Sequence, residues 1–274
     1  NPQVLQARRD DPTWRAVDLV AGDALQPETL TAALAGVDIA FYLVHSMAAG
    51  RDFGRLDLEA AENFARAAAA AGVKRIVYLG GLVPKDADSE HLVSRKQTGD
   101  RLREGPVPVI ELRAGIIVGP GSAAYEVMRD LVYHLPLMVT PRWVRSKSSP
   151  IALANLLEYL VRLATLPQAE GRIFDAGGPD YMSYAEMMRA FGEVIGKRPR
   201  LVPVPVLTPQ LSSYWLALVT TVPASIARAL IGGLKHDIPA DDGPLRELVP
   251  QQLLPFREAV AAALAAERTH TVAA

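Results

Sequence analysis

The sequence of 274 residues contains no cysteine. This absence excludes disulfide bonds, catalysis by a thiolate and zinc sites built on cysteine. The five histidines lie far apart and none forms an H-x-x-x-H pair, so no metal site is predicted. The net charge is −1, without the basic excess that is typical of nucleic-acid-binding proteins, and we expect no nucleic acid partner.

Charged residues are also missing from one long stretch, because positions 201–227 contain no Asp, Glu, Lys or Arg. Its longest proline-free part, residues 210–222, is shorter than the roughly 20 residues that a membrane-spanning helix needs. We therefore predict no transmembrane segment and expect a buried apolar lobe. An interfacial contact through residues 206–234, or a pocket for an apolar substrate, is the alternative. Residues 1–15 are polar and show no secretory signal, so we expect a cytoplasmic location.

Apolar runs alternate with helical patterns along the first part of the chain. The predicted strands are residues 16–21, 37–44, 73–79 and 108–118, and the predicted helices between them are residues 27–34, 55–71 and 94–103. Continuous apolar strands are typical of a parallel sheet that is covered on both faces. The pattern predicts an α/β fold with a Rossmann-like, doubly wound parallel sheet. Further helices are predicted at residues 124–134, 152–164 and 184–195, with a short strand at 173–176.

Small residues recur at the carboxyl ends of the predicted strands, where ligands bind in an open α/β sheet. Glycine there lets a flat ligand approach the backbone closely, although glycine is also common in ordinary turns. The candidate binding residues at these ends are Asp23, Ala24, Leu43, Val44, His45, Gly80, Gly81, Ala114, Gly115, Ile116 and Ile117.

Six segments in order resemble the atypical and extended short-chain dehydrogenases/reductases of the NmrA-like and complex I accessory-subunit type. They are Gly22-Asp23, residues 37–43 (VDIAFYL), residues 74–79 (KRIVYL), residues 112–121 (LRAGIIVGPG), residues 149–156 (SPIALANL) and residues 177–186 (GGPDYMSYAE). The resemblance implies a Rossmann fold, NADP or NAD as the cofactor, and a contact between Asp23 and the adenine. It also implies an oxidoreductase, or a protein like the NAD-dependent epimerases and dehydratases.

The resemblance breaks at the catalytic positions. Reductases of the family use a Tyr-x-x-x-Lys pair with an upstream Ser, whereas this chain has His91 at the Tyr position, Arg95 at the Lys position and Gly81 near the Ser position. Arginine can hold ribose hydroxyls or a phosphate, so Arg95 is a candidate cofactor-binding residue. Histidine can donate a proton near neutral pH, so His91 is a candidate catalytic residue, with His45 as a second. Alternatively, these are ordinary polar residues at a helix start and a strand end.

The chain also lacks the glycine-rich phosphate loop that follows the first strand of such a domain. Because it opens with Asn1 and the resemblance starts beyond the family's second strand, we expect an N-terminally truncated sequence that lacks the first strand and this loop. A protein that has lost its cofactor is the alternative. We predict a partial NAD(P)-binding Rossmann domain at residues 1–150. A smaller, mostly helical substrate-side lobe is predicted at residues 151–274, interleaved with the sheet near residues 173–176.

One further glycine pattern, residues 119–124 (GPGSAA), fits G-x-G-x-x-A between a strand and a helix. Arg142 and Arg145 follow at about the distance of a residue that binds a 2′-phosphate. Because Pro120 lies inside the turn and the next predicted strand is short, we interpret this segment as a substrate-side loop.

Two main classes of function stay open at this point. The first is an NAD(P)-binding oxidoreductase or isomerase that acts on a small or lipophilic substrate. The second is a non-catalytic nucleotide-binding protein, either a redox sensor or an assembly subunit, which the missing Ser/Tyr/Lys triad favours. A third class is an interfacial protein, which would use the apolar lobe to contact a membrane or a quinone.

Overall fold

The secondary structure follows the predicted alternation of strands and helices through much of the chain. The computed structural model describes residues 6, 8, 11, 14–46, 52–84, 89–140, 142–203 and 236–272. In chain order the elements are α1 (Pro27–Ala33), β1 (Ile39–Tyr42), α2 (Phe53–Ala70), β2 (Arg75–Gly81), α3 (Glu90–Arg103), β3 (Val109–Ala114), β4 (Ile117–Val118), α4 (Ala123–His134), β5 (Leu137–Thr140), β6 (Lys147–Ser148), β7 (Ile151–Ala152), α5 (Leu153–Thr165), β8 (Ile173–Ala176), β9 (Met182–Ser183), α6 (Tyr184–Val194), β10 (Arg200–Pro203), α7 (Gly243–Leu248) and α8 (Phe256–Val272). Short 3-10 helices cover Arg142–Arg145 and Pro167–Ala169.

The main sheet has four parallel strands in the order β1-β2-β3-β8. The crossover from β1 to β2 contains α2, and the crossover from β2 to β3 contains α3. Parallel strands need such long connections, which is why strands and helices alternate along the sequence. The sheet confirms the predicted Rossmann-like parallel architecture, and the predicted short strand at residues 173–176 is its edge strand β8.

Helices cover both faces of this sheet. On one face α2 packs through Phe64 and Ala68, and on the other face α5 packs through Leu160 and Leu163. Helix α2 ends at Gly72, whose φ of 74° is a left-handed conformation that glycine adopts without strain.

The predicted strand at residues 16–21 does not form, and this prediction was wrong. Val17 and Val20 are 48% and 51% exposed, and no ladder of hydrogen bonds joins the segment to another described strand. A strand forms where an adjacent strand supplies partners for its backbone groups. Among the described strands, only β2 pairs with β1, and none runs beside residues 16–21.

Residues 108–118 form two strands rather than the single one predicted. β3 stays in the main sheet, whereas β4 leaves it and pairs with β7. The break falls at Gly115, where a side-chain Cβ would lie 3.1 Å from Ser148 Oγ and 3.2 Å from Leu82 Cδ1. The close packing of these neighbours therefore needs glycine where the chain turns out of the sheet.

The glycine pattern at residues 119–124 does not form a βαβ unit. Strand β4 lies before it and β5 lies after α4, but β4 pairs with β7 and β5 pairs with β10. A dinucleotide fingerprint requires the two flanking strands to belong to one sheet. The separate pairing supports the interpretation of this segment as a substrate-side loop.

The C-terminal half of the chain shares its core with the N-terminal half. β8 completes the main sheet, and α4, α6 and α8 pack together around Tyr125, Phe191 and Val260. The division at residue 150 stays a prediction. Residues 206–234, named above for an interfacial contact, lie outside the described residues. None of the described helices is both long and apolar enough to cross a membrane.

Candidate functional site

The first candidate residues, Asp23 and Ala24, lie in the turn before α1. Asp23 Oδ1 accepts a hydrogen bond from the N–H of Leu25 at 2.9 Å, so its carboxylate stabilises the turn itself. Asn63 of α2 donates from Nδ2 to the carbonyl oxygen of Ala24 at 3.0 Å. The turn is thereby held against α2, and the Asp23 side chain lies at the surface.

The second group lies just beyond the end of β1. Leu43, Val44 and His45 are exposed. Next in the chain, the backbone N–H of Ser46 donates to Asp57 Oδ1 at 2.6 Å. This bond ties the segment that carries His45 to α2, because Asp57 lies in the second turn of that helix.

Helix α3 brings His91 and Arg95 to the same edge of the sheet. Ser94 donates its hydroxyl hydrogen to Asp57 Oδ2 at 2.9 Å. Arg95 extends over the end of β2, where a Cβ added to Gly81 would lie 3.9 Å from Arg95 Nε. This Nε is buried, and no hydrogen-bond partner for it exists among the described residues.

Burial, with the positive charge of Arg95 acting in the same direction, keeps the imidazoles of His91 and His45 neutral. Burial lowers the pKa of His91 to about 4, and Arg95 acts in the same direction. Partial burial and Arg95 also lower the pKa of His45, which the carboxylate of Asp57 opposes. Both imidazoles are therefore neutral at pH 7. In that form His91 can offer a ring N–H as a hydrogen-bond donor, but it carries no ionisable imidazolium proton.

The buried His91 makes the stability of the fold sensitive to acid. Its pKa is lower in the folded state, about 4, than the ordinary 6.5, so the unfolded chain binds more protons between these values. The contribution of neutral His91 is complete above pH 6.5 and is lost as the pH falls towards 4. We expect the free energy of unfolding to fall by about 2 kcal/mol more in the wild type than in His91→Gln between pH 7 and pH 4.5.

Urea unfolding at the two pH values measures this difference. His134 is exposed at the end of α4, so His134→Gln is a matched control that should lose as much stability as the wild type. Equal acid sensitivity of the wild type and His91→Gln would contradict the burial of a neutral imidazole.

The fourth group spans the break between β3 and β4. Ala114 ends β3 and Ile117 begins β4. Ile116 is buried, and its carbonyl oxygen accepts a hydrogen bond from Ile151 N–H at 2.8 Å. Gly115 packs against protein atoms, so the packing alone accounts for the small residue there. A cofactor contact by this group stays a prediction.

These contacts connect three of the four predicted groups along one edge of the sheet. Asn63 holds the turn at Ala24, and Asp57 on the same helix holds the segment after β1. Asp57 also binds α3, from which Arg95 reaches Gly81 at the end of β2. The candidate residues before α1, after β1, at the end of β2 and on α3 therefore lie around one edge, where an open α/β sheet binds its ligands.

Asp57, Asn63 and Ser94 were missed by the sequence analysis. Asp57 lies on the buried stripe of α2, between Phe53 and Ala60, where a polar side chain needs a partner. A carboxylate on an otherwise apolar helix stripe was the available signal. The identity of its partners was not, because Ser94 lies 37 residues away.

The site offers the donors that a dinucleotide needs. Arg95 presents a buried N–H without a protein partner, and arginine binds phosphate oxygens and ribose hydroxyls through such donors. The adjacent Gly80 and Gly81 leave the strand end bare of side chains. Among the described residues, no group of three or more His, Asp or Glu side chains could hold a metal ion.

Residues 4–104 match the family described as NAD(P)H-binding. Together with the fold, this match makes the chain similar to NAD(P)-binding reductases and epimerases with a Rossmann-like architecture, the class to which the atypical short-chain dehydrogenases/reductases belong. The resemblance to NAD(P)-binding reductases and epimerases that the sequence analysis found is confirmed, and so is the prediction of NADP or NAD as the cofactor.

Individual relatives are reductases. The chain is 26% identical to the ceramide reductase of Caulobacter vibrioides over an alignment of 267 residues, which covers 92% of this chain and 82% of that protein. The triphenylmethane reductase of Citrobacter sp., solved with NADP(H), has a TM-score of 0.73 and 22% identity, and the match covers 96% of this chain and 88% of that one. An NADPH-dependent quinone oxidoreductase of Escherichia coli, solved with NADPH, has a TM-score of 0.71 and 19% identity, covering 96% and 87%.

Proposed function

We propose that this protein is an NAD(P)H-dependent reductase of a small, lipophilic substrate. The observation that carries the proposal is the buried Arg95 Nε, which has no protein partner among the described residues and lies beside the bare end of β2. A buried donor without a partner costs free energy, and a ligand oxygen placed there would remove that cost. The names of the relatives above support reduction as the reaction.

Arg95 takes the role of the family's lysine in this proposal. Its guanidinium would hold the ribose hydroxyls or a phosphate of the nucleotide, where charge-assisted hydrogen bonds are strongest. When bound, the reduced cofactor supplies a hydride. Neutral His91 would orient the substrate through its ring N–H, with His45 as a second donor at the rim of the site. Tyr78 lies close to Arg95, but it is fully buried, its hydroxyl donates to the Arg95 carbonyl oxygen and burial raises its pKa to about 12.

The lipophilic character of the substrate rests on the rim of the site. Leu43 and Val44 expose apolar side chains next to His45. An exposed pair of large apolar residues beside a polar cluster suits a ligand with an apolar body and one polar reacting group. The ceramide reductase and the triphenylmethane reductase, by their names, act on such compounds. A cytoplasmic location, where nicotinamide nucleotides are available, belongs to the same proposal.

A non-catalytic redox sensor or assembly subunit is the second candidate. The low pKa of His91 favours it, because a neutral imidazole is a weaker proton donor than the tyrosine of the family's reductases. Both candidates bind the nucleotide at the same edge, so they differ only in turnover.

The test uses the purified protein. NADPH and NADH binding is measured by fluorescence, followed by cofactor oxidation with panels of lipophilic aldehydes, ketones and quinones. The reductase predicts saturable binding and substrate-dependent oxidation that falls sharply in His91→Ala. Binding without turnover on any panel would favour the sensor, and absence of binding would contradict both.

A further inference from the structure

We propose that Asp57 is a positioning residue, which fixes the cofactor site by holding the segment after β1 and helix α3 in one arrangement. The inference rests on the proposed function, because the site it serves is the nucleotide site at the carboxyl edge of the sheet. Asp57 itself lies on α2, and its described hydrogen bonds go to Ser46 and Ser94 rather than to the candidate cofactor-binding residues.

Each carboxylate oxygen of Asp57 binds a different element. Oδ1 accepts the backbone N–H of Ser46 at 2.6 Å, and Oδ2 accepts the hydroxyl of Ser94 at 2.9 Å. Both donors are immediate neighbours in sequence of site residues, since Ser46 follows His45 and Ser94 precedes Arg95. One buried side chain therefore controls the relative placement of His45 and Arg95.

Because Asp57 is buried, these two bonds are internal contacts rather than surface contacts. The residue is only 4% exposed, and the described ion pairs include none with Asp57. A buried carboxylate is costly unless its oxygens are hydrogen-bonded, so both bonds persist in the folded state. The geometry that they impose is present before any ligand arrives, which lowers the cost of ordering the site on binding.

Charge and geometry at Asp57 can be separated by two substitutions. Asp57→Ala removes both acceptors. Asp57→Asn keeps an oxygen for the Ser46 N–H and places an NH₂ against Ser94, whose hydroxyl can rotate to accept from it. A positioning role acting through hydrogen bonds thus predicts rescue by Asn, whereas the loss of the negative charge is common to both variants.

The experiment measures NADPH affinity by fluorescence in the wild type, Asp57→Ala, Asp57→Asn and the control Glu59→Ala, an exposed residue on the same helix. We expect binding to be weakened about tenfold or more in Asp57→Ala and to stay within about threefold of the wild type in Asp57→Asn and Glu59→Ala. All measurements are made well below the unfolding temperature of each variant. Wild-type affinity in folded Asp57→Ala, or an equal loss in Asp57→Asn, would overturn the proposal.

A second readout does not depend on the cofactor. In NMR spectra of the free protein, the Ser46 amide should shift markedly in Asp57→Ala and less in Asp57→Asn. His45 is faced by Arg95 and His91 as well as Asp57, and its pKa should be lower than in the wild type in both variants because the opposing carboxylate charge is gone. Unchanged Ser46 and His45 signals would refute the positioning contact. If the wild type binds neither NADPH nor NADH, the proposed function fails, while this readout still decides on Asp57.

Discussion

Replacement of Glu111 by glutamine is expected to lower the free energy of unfolding by about 3–5 kcal/mol. Glu111 lies in β3 with only 1% of its surface exposed. Its carboxylate binds Arg113 Nε at 2.7 Å and forms a close ion pair with Arg103 of α3. Glutamine has almost the same size, but it removes the charge and turns an NH₂ group towards one of the two guanidinium groups.

The surroundings of Glu111 leave it no room to adjust. Gly99 of α3 faces the carboxylate, and a Cβ added there would lie 2.5 Å from Glu111 Oε2. The missing side chain at Gly99 is what lets α3 pack over the ion pair. The glutamine variant therefore leaves Arg113 facing an amide in place of its carboxylate, whereas Arg103 keeps its ion pair with Asp100.

Urea unfolding at pH 7 checks this prediction. Glu104→Gln is the matched control, because Glu104 is exposed and pairs with Arg101 only at the surface. We expect the control to change stability by less than about 0.5 kcal/mol. A loss below about 1 kcal/mol for Glu111→Gln would show that the two arginines do not need the buried carboxylate.

The second large effect is expected for cofactor binding in Arg95→Met. Methionine retains much of the apolar length of arginine but removes the guanidinium, which has a buried donor free for a ligand. Hydrogen bonds to charged groups contribute about 1.5–3 kcal/mol, so we expect the Kd for NADPH to rise about 10–100-fold. The variant should remain folded, because Arg95 Nε has no hydrogen-bond partner to lose among the described residues.

Fluorescence titration with NADPH measures this effect, and circular dichroism checks the fold. Arg101→Met supplies the control on the same helix, since Arg101 lies on the outer side of α3 and pairs with Glu62 and Glu104. Its Kd should match that of the wild type. An equal decrease in affinity for both variants would point to the general positive charge of α3 rather than to a specific contact.

Local signals predicted the fold well, and non-local pairing was the main source of error. The helix at Pro27–Ala33 begins with proline and ends near Gly36, and both signals lie within the segment itself. Residues 16–21 are as apolar as the true strands, but a strand depends on a neighbour that is distant in sequence. The apolar character of this segment could not show that no described strand would pair with it.

The site was predictable in outline for a similar reason. The rule that ligands bind at the carboxyl ends of parallel strands brought Gly81 and His45 to one edge, and the resemblance added Arg95. The supporting contacts from Asp57 and Asn63 could not be predicted. Asp57 binds Ser94, which is 37 positions away in the sequence, and Asn63 binds Ala24, which is 39 positions away. Such contacts follow from the packing of helices, which no local pattern specifies.

The most direct test of the account is an NMR titration of the arginine side-chain N–H groups of the purified protein with NADPH. The account predicts that the Arg95 Nε–H signal shifts saturably, together with the backbone amide of Gly81, while Arg101 Nε–H stays in place. Saturable NADPH binding that leaves Arg95 and Gly81 unchanged would place the nucleotide elsewhere and contradict the account.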